Sequence, residues 1–133
     1  MILGAGIDVV EIARLESALA RRGSRLQTRV FTERESRDCE RRRRCATAHL
    51  ALRFAAKEAG MKALGTGWRN GVAWRDFETR ESPLGLELEL SGRARELVEA
   101  RGFARAWLAA SLTRTHAVAH VVLEGLPPDM RER

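Results

Sequence analysis

The chain has 133 residues, 44% of them apolar and 32% charged, with a formal net charge of +6. That is enough apolar material for one buried core, and no apolar run is long enough to cross a bilayer. The positive charge points to an anionic partner: nucleic acid, an acidic protein or a polyphosphate. Tyrosine is absent, Phe and Trp are few, and no zinc-finger spacing occurs, so a nucleic-acid-binding module is kept only as the alternative reading.

The opening MILGAGIDVVEI has neither the basic flank nor the small-residue cleavage site of a secretory signal, and a cytoplasmic protein is expected. Residues 2–10 are rich in Ile and Val and alternate in part, the pattern of a first strand. Asp8 interrupts it between Ile7 and Val9. Two compatible readings exist: Asp8 as the N-cap of a following helix, with Glu11 completing a capping box, or Asp8 as a functional carboxylate. The helix, from about residue 10 to residue 20, has Ile12, Leu15 and Leu19 as its apolar positions and carries Arg14. Arg21, Arg22, Arg25 and Arg29 follow closely. This basic stretch is either a solvated face or a binding one.

Thr32 with Glu35 is a second capping signature and starts a short helix near Glu33. Cys39 and Cys45 are the only cysteines, and His49, His116 and His120 bring no metal-ligand spacing to them. Two reduced thiols are expected there, not a zinc site. The four arginines at 41–44 read as a hydrated helix end or loop that could meet phosphate.

A long helix then begins at Ala46 or Thr47, with Leu50, Phe54 and Met61 as its apolar stripe. It runs to a stop at Gly65, the residue type that closes a helix in the left-handed conformation. Only two of the 24 Lys and Arg residues are lysines, Lys57 and Lys62, and both lie here on either side of Glu58. Lysine offers a compact charge and a proton that can leave, which guanidinium does not. Glu58 and Lys62 also have the i, i+4 spacing of an ordinary helix ion pair. Residues 65–71, GTGWRNG, read as a loop whose free amides could contact phosphate. The end of a helix repels anions, so lysines or arginines must supply the attraction.

Residues 72–77 and 84–90 alternate and read as strands joined by Ser82 and Pro83. A helix is expected over 91–100 and strands over 104–112 and 117–123. Pro127 and Pro128 break structure, leaving 127–133 as a loose tail on a single domain of residues 1–126. Helices and mostly antiparallel strands without a βαβ rhythm predict an α+β fold.

GIDVVEIARLE (residues 6–16) and RFAAKEAGMKALGTG (53–67) carry a resemblance. They are similar to the G-I-D-[IV]-x-x-[IV] opening and the F-A-x-K-E-x-x-x-K-A-[LF]-G-T-G core of the holo-acyl-carrier-protein synthase family of 4′-phosphopantetheinyl transferases. SLTRTHAVAHVVLE (111–124) resembles that family's last hairpin more loosely. The resemblance implies the 4′-phosphopantetheinyl transferase fold, a long helix packed on a mostly antiparallel sheet. It implies transfer of the phosphopantetheine arm of coenzyme A to a serine of an acyl carrier protein, with release of adenosine 3′,5′-bisphosphate, in fatty acid or polyketide synthesis. It further implies Mg2+ held by Asp8 and Glu58, since that ion needs only one or two carboxylates beside phosphates and water. Glu58, or a water beside it, would accept the serine proton, and Lys62 would neutralise or protonate the leaving phosphate. Arg53, Lys57, Lys62, Gly65 and Thr66 would line the coenzyme A phosphates. The acidic carrier would dock on Arg14, Arg21, Arg22 and Arg25, and the protein would be a homotrimer with sites shared between subunits.

Two departures stand out. Where the family has S-[IL]-[ST]-H-[TDS], this chain reads Ser111-Leu112-Thr113-Arg114-Thr115, so Arg114 takes the place of a histidine beside the coenzyme A phosphates. Arginine can bind a phosphate but is no base near neutral pH. The family's G-K-P is replaced by Leu84-Gly85-Leu86.

Overall fold

The Ile/Val-rich opening forms strand β1 (Ile2–Glu11) in a computed structural model that describes residues 1–67 and 69–131. β1 passes directly into helix α1 (Ile12–Val30). Asp8 is thus a strand residue, and the capping-box reading fails: Glu11 holds the N-cap position and makes no side-chain cap bond. The β-branched pair Val9 and Val10 favours extended backbone, and pairing with a neighbouring strand holds it extended through Glu11. α1 runs ten residues beyond the expected end, and its backbone breaks at Gly23, where φ is 60°. That left-handed value is open to glycine without steric cost.

The second capping signature holds. Thr32 Oγ1 accepts from the Glu35 amide and Glu35 Oε1 accepts from the Thr32 amide, opening α2 (Glu33–Glu40). A 3₁₀ turn (Arg43–Cys45) leads into α3 (Ala46–Leu64), closed by Gly65 at φ 85°. From Leu50 onward α3 is buried everywhere except at Phe54, Glu58 and Lys62. Those three stand at i, i+4 and i+8, a single open stripe. Leu50 and Met61 are core residues as expected; Phe54 lies on the open stripe and stacks on Trp74 at 5.2 Å.

Residues 72–76, expected to start a strand, instead form a loop and a 3₁₀ turn (Trp74–Asp76). The Asp76 carboxylate accepts from the amides of Ala73 and Ala94, which folds this backbone back on itself. Strands β2 (Phe77–Ser82) and β3 (Gly85–Leu90) make a hairpin closed by Pro83 and Leu84. Helix α4 (Gly92–Glu99) leads to β4 (Phe103–Leu112) and β5 (His116–Gly125). β1, β5 and β4 form one antiparallel sheet in that order, so the fold is α+β as expected. Residues 127–131 were expected to be loose; Pro128–Met130 form a 3₁₀ turn and the Arg131 guanidinium returns to the Leu126 carbonyl at 3.0 Å. Trp68 of the 65–71 loop, and Glu132 and Arg133, lie outside the described residues.

The three-stranded sheet packs on α3 through Ala117, Ala119, Val121 and Leu123 of β5, all fully buried. The helix offers Ala51, Ala55, Ala56, Ala59 and Ala63 in return, so the two approach closely. β1 comes closest. A methyl at Gly4 would stand 2.0 Å from the Ala63 carbonyl oxygen, and one at Gly6 2.1 Å from that of Ala59. Gly6→Ala should therefore push β1 off α3 and cost about 3 kcal/mol, read as a fall in the urea midpoint at unchanged slope.

Candidate active site

The close approach of β1 to α3 decides what the open stripe of the helix meets. Asp8 pairs with Ala119 across the sheet, and both point to the helix side. Its carboxylate meets the stripe. Lys62 Nζ donates to Asp8 Oδ1 at 2.8 Å and to the Ile7 carbonyl at 3.2 Å. The expected Glu58–Lys62 helix pair does not form, because the strand offers the ammonium two acceptors. Glu58, one turn earlier, is half-buried and makes no hydrogen bond or ion pair among the described residues.

The three groups are electrostatically coupled. Burial pushes the Glu58 carboxyl above the ordinary carboxylate range, the Asp8 charge pushes it further, and Lys62 opposes both. The hydrogen bond to Asp8 holds Lys62 above its ordinary value, so it stays a cation at neutral pH. Beside them opens a cleft of about 290 Å³, lined in part by Asp8, Glu11, Arg14, Leu15 and Phe54. Among the described residues no group of three or more His, Cys, Asp or Glu side chains could hold a metal. A two-carboxylate pair is too poor a donor set for zinc. It suits a hard divalent cation that completes its shell with water and phosphate oxygens.

Two residues expected to line coenzyme A phosphates, Arg53 and Lys57, are buried in the core. Arg53 is 1% exposed and donates to Cys39 Sγ at 3.0 Å, Thr79 Oγ1 at 3.1 Å and Glu81 Oε1 at 3.0 Å. Lys57 is fully buried, 2.8 Å from Glu35 Oε1, and donates to the carbonyls of Phe77 and Trp74. Burial pushes its ammonium below the ordinary lysine value, against the pull of Glu35. Both cations face the core, about 100° round the helix from the open stripe, and their donors are engaged there. Glu35 and Thr79 escaped the sequence reading. The sequence reading accounts for Glu35 only as the partner of Thr32 in a capping box, and nothing local marks Thr79.

Gly65 and Thr66 lie at the end of α3 beside the start of β1, where Arg101 bridges the carbonyls of Leu64 and Leu3. Arg114 is exposed at the tip of the β4–β5 hairpin, beyond the other end of β1, where the Ile12 amide donates to the Thr115 carbonyl at 3.0 Å. Eight residues of strand separate these ends, about 26 Å. Within one chain they do not meet. Arg14 borders the cleft beside Asp8, whereas Arg21, Arg22, Arg25 and Arg29 surround Leu26 in a separate depression at the Gly23 break. In the 41–44 run, Arg41 pairs with Asp38 and Arg42 with Glu81. Both cysteines are unbridged, as expected.

Residues 4–121 match the 4′-phosphopantetheinyl transferase superfamily, and the chain belongs to that family of enzymes. Within it, the similarity is to holo-acyl-carrier-protein synthases. The chain is 45% identical over 125 residues to the holo-[acyl-carrier-protein] synthase of Koribacter versatilis (strain Ellin345), covering 93% of this chain and 99% of that one. The crystal structure of the Neisseria meningitidis holo-[acyl-carrier-protein] synthase superposes with a TM-score of 0.83 at 32% identity, covering 93% and 99%. That of Bacillus anthracis, solved in complex with CoA (3′,5′-ADP), superposes with a TM-score of 0.77 at 34% identity, covering 95% and 99%.

The raised Glu58 makes a prediction about stability. Its folded state holds a proton more tightly than the unfolded chain, so wild-type stability falls as pH rises from the ordinary value of 4.5 through the raised folded one. Glu58→Gln lacks this penalty. In metal-free buffer the variant should melt a few degrees above wild type at neutral pH, and the gap should close below pH 4.5 in thermal scans.

Proposed function

We propose that this chain is a holo-acyl-carrier-protein synthase. It moves the 4′-phosphopantetheine of coenzyme A onto a serine of an apo acyl carrier protein and releases adenosine 3′,5′-bisphosphate, in the cytoplasm, for fatty acid or polyketide synthesis. The observation that carries the reading is the convergence of Asp8 and Lys62, bonded at 2.8 Å, with Glu58 coupled to both from the same open stripe of the helix, each in a segment that matches the family. No helix among the described residues is long and apolar enough to cross a membrane.

Asp8 and Glu58 would hold Mg2+, which when bound neutralises phosphate charge. The chain's own residues do the rest. Glu58, desolvated and without a hydrogen bond among the described residues, or a water beside it, takes the serine proton as the serine oxygen bonds to phosphorus. The pyrophosphate P–O bond breaks, and the leaving phosphate takes the electron pair. Lys62 sits beside it as a fixed cation. Because Asp8 holds its proton in place, it acts by charge stabilisation and not as an acid.

Gly65 and Thr66 at one end of the seam, and Arg114 at the other, serve one coenzyme A only if they come from different copies. The outer sheet face supports that arrangement. It exposes Ile7 (59%), Val9 (57%) and Trp107 (47%) beside Val118 and Val122, apolar groups that stand among His120, Arg105 and Glu124 on the same face. A homotrimer packed through this face joins the two halves of the site. Arg14, Arg21, Arg22 and Arg25 receive the acidic carrier.

The direct test incubates the protein with coenzyme A, Mg2+ and an apo carrier and weighs the carrier. A gain of one phosphopantetheine is expected; no gain, with salt-sensitive DNA binding instead, supports the nucleic-acid reading. Glu58→Gln should lower kcat by at least about a hundredfold. Arg14→Glu combined with Arg25→Glu should raise the KM for the carrier about tenfold and leave that for coenzyme A unchanged in steady-state assays. Ile7→Asp should convert the assembly to monomers by sedimentation and remove activity with it.

A further inference from the structure

Arg53 and Lys57 stand one turn apart on α3, buried, and the reaction proposed above uses neither. Their surroundings suggest what they do. Where α3 meets the sheet it offers mainly methyl groups and backbone: Ala55, Ala59 and Ala63, with Gly4 and Gly6 lying on its carbonyls. Such contacts set how near the strand comes. They are non-directional and set the helix's rotation about its axis only weakly. Hydrogen bonds are directional, and they can set it.

Lys57 reaches out to three elements at once. Its Nζ lies 2.8 Å from Glu35 Oε1 on α2 and donates to the Phe77 carbonyl of β2 at 2.6 Å and to the Trp74 carbonyl at 3.3 Å. Glu35 is held in turn. Its Oε1 accepts from the Thr32 amide, and its Oε2 accepts from Thr79 N at 3.0 Å and Thr79 Oγ1 at 2.6 Å. Lys57, Glu35 and Thr79 are all fully buried. Glu58, the next residue on the helix, has no bond of its own among the described residues to aim it. Where its carboxylate points follows from where α3 is turned.

We propose that Lys57, with Glu35 as its counter-ion, is a positioning residue that sets the rotation of α3 and so aims Glu58 at Asp8. A rotation of about 10° moves a side-chain end at a radius of about 6 Å by about 1 Å. A misplacement of that size at a reacting group costs about a hundredfold in rate. The proposal rests on the transferase reading above for its kinetic consequences, but not for its structural ones.

The test uses the full chain with Glu35→Gln and Lys57→Met together. This pair removes both charges at nearly constant volume and leaves Gln able to accept from Thr79. Expected are cooperative thermal unfolding, kcat reduced by about tenfold or more, KM for coenzyme A and carrier within about twofold of wild type, and shifted amide signals for Asp8, Glu58 and Lys62 in nitrogen–proton spectra. An unchanged kcat with unmoved signals overturns the proposal. So does a raised KM for coenzyme A at constant kcat, which would put Lys57 on the substrate. Should the double variant not fold, Thr79→Val decides the matter. It deletes the 2.6 Å bond to Glu35 together with the 3.1 Å bond that Thr79 Oγ1 accepts from Arg53, leaves the Lys57–Glu35 pair in place, and should give a smaller loss of kcat with the same signals shifted. Unchanged kcat and signals in that variant overturn the proposal equally. If the wild-type protein transfers nothing, the transferase reading fails, and the amide signals alone decide the positioning.

Discussion

Strand β1 lies on the bare backbone of α3, and the rest of the molecule is arranged around that contact. Gly4 and Gly6 leave no room for a side chain against the carbonyls of Ala63 and Ala59. Two residues beyond Gly6, Asp8 arrives within 2.8 Å of the Lys62 ammonium. A side chain at either glycine would move the strand outward, and a carboxylate from the strand could no longer meet groups on the helix. The alanine content of α3 belongs to the same constraint. A helix buried on nearly all sides must present small groups wherever a sheet is to come this close.

The short stretch from Lys57 to Lys62 divides its charges between two environments. Lys57 points into the core, loses solvation and is compensated by a carboxylate and two carbonyls. Lys62, five residues on, reaches solvent and the half-buried carboxylate of Asp8 on β1. Their shifts run in opposite directions for that reason: burial pulls the first down, and a hydrogen bond lifts the second. Glu58 sits between, desolvated enough to be raised and without a hydrogen bond or ion pair among the described residues.

The three-stranded sheet has one face committed to α3 and an outer face on which Ile7, Val9 and Trp107 are exposed among His120, Arg105 and Glu124. The residues placed at the two ends of the β1–α3 seam cannot reach a common ligand within one chain. The homotrimer proposed above, with outer faces meeting and the hairpin tip of one copy approaching the seam of another, would answer both.

The sequence by itself determined the elements whose causes are local. The Thr32–Glu35 box opens α2, Gly65 closes α3, and the alternation in the last hairpin makes its strands, because capping bonds, a left-handed glycine and side-chain period depend on near neighbours. The two motifs likewise marked Asp8, Glu58 and Lys62 as one group. Tertiary structure decided the rest. Asp8 became a strand residue because β5 holds β1 extended, and Asp76 turned an alternating run into a loop by binding amides 3 and 18 positions away. It also chose the partner of each cation. Lys62 meets a strand 54 residues distant in place of its helix neighbour, and Lys57 meets Glu35, which the sequence marks only as a capping residue. A charge finds its partner by distance in space and by how much water it loses, and neither quantity is written in the spacing along a chain.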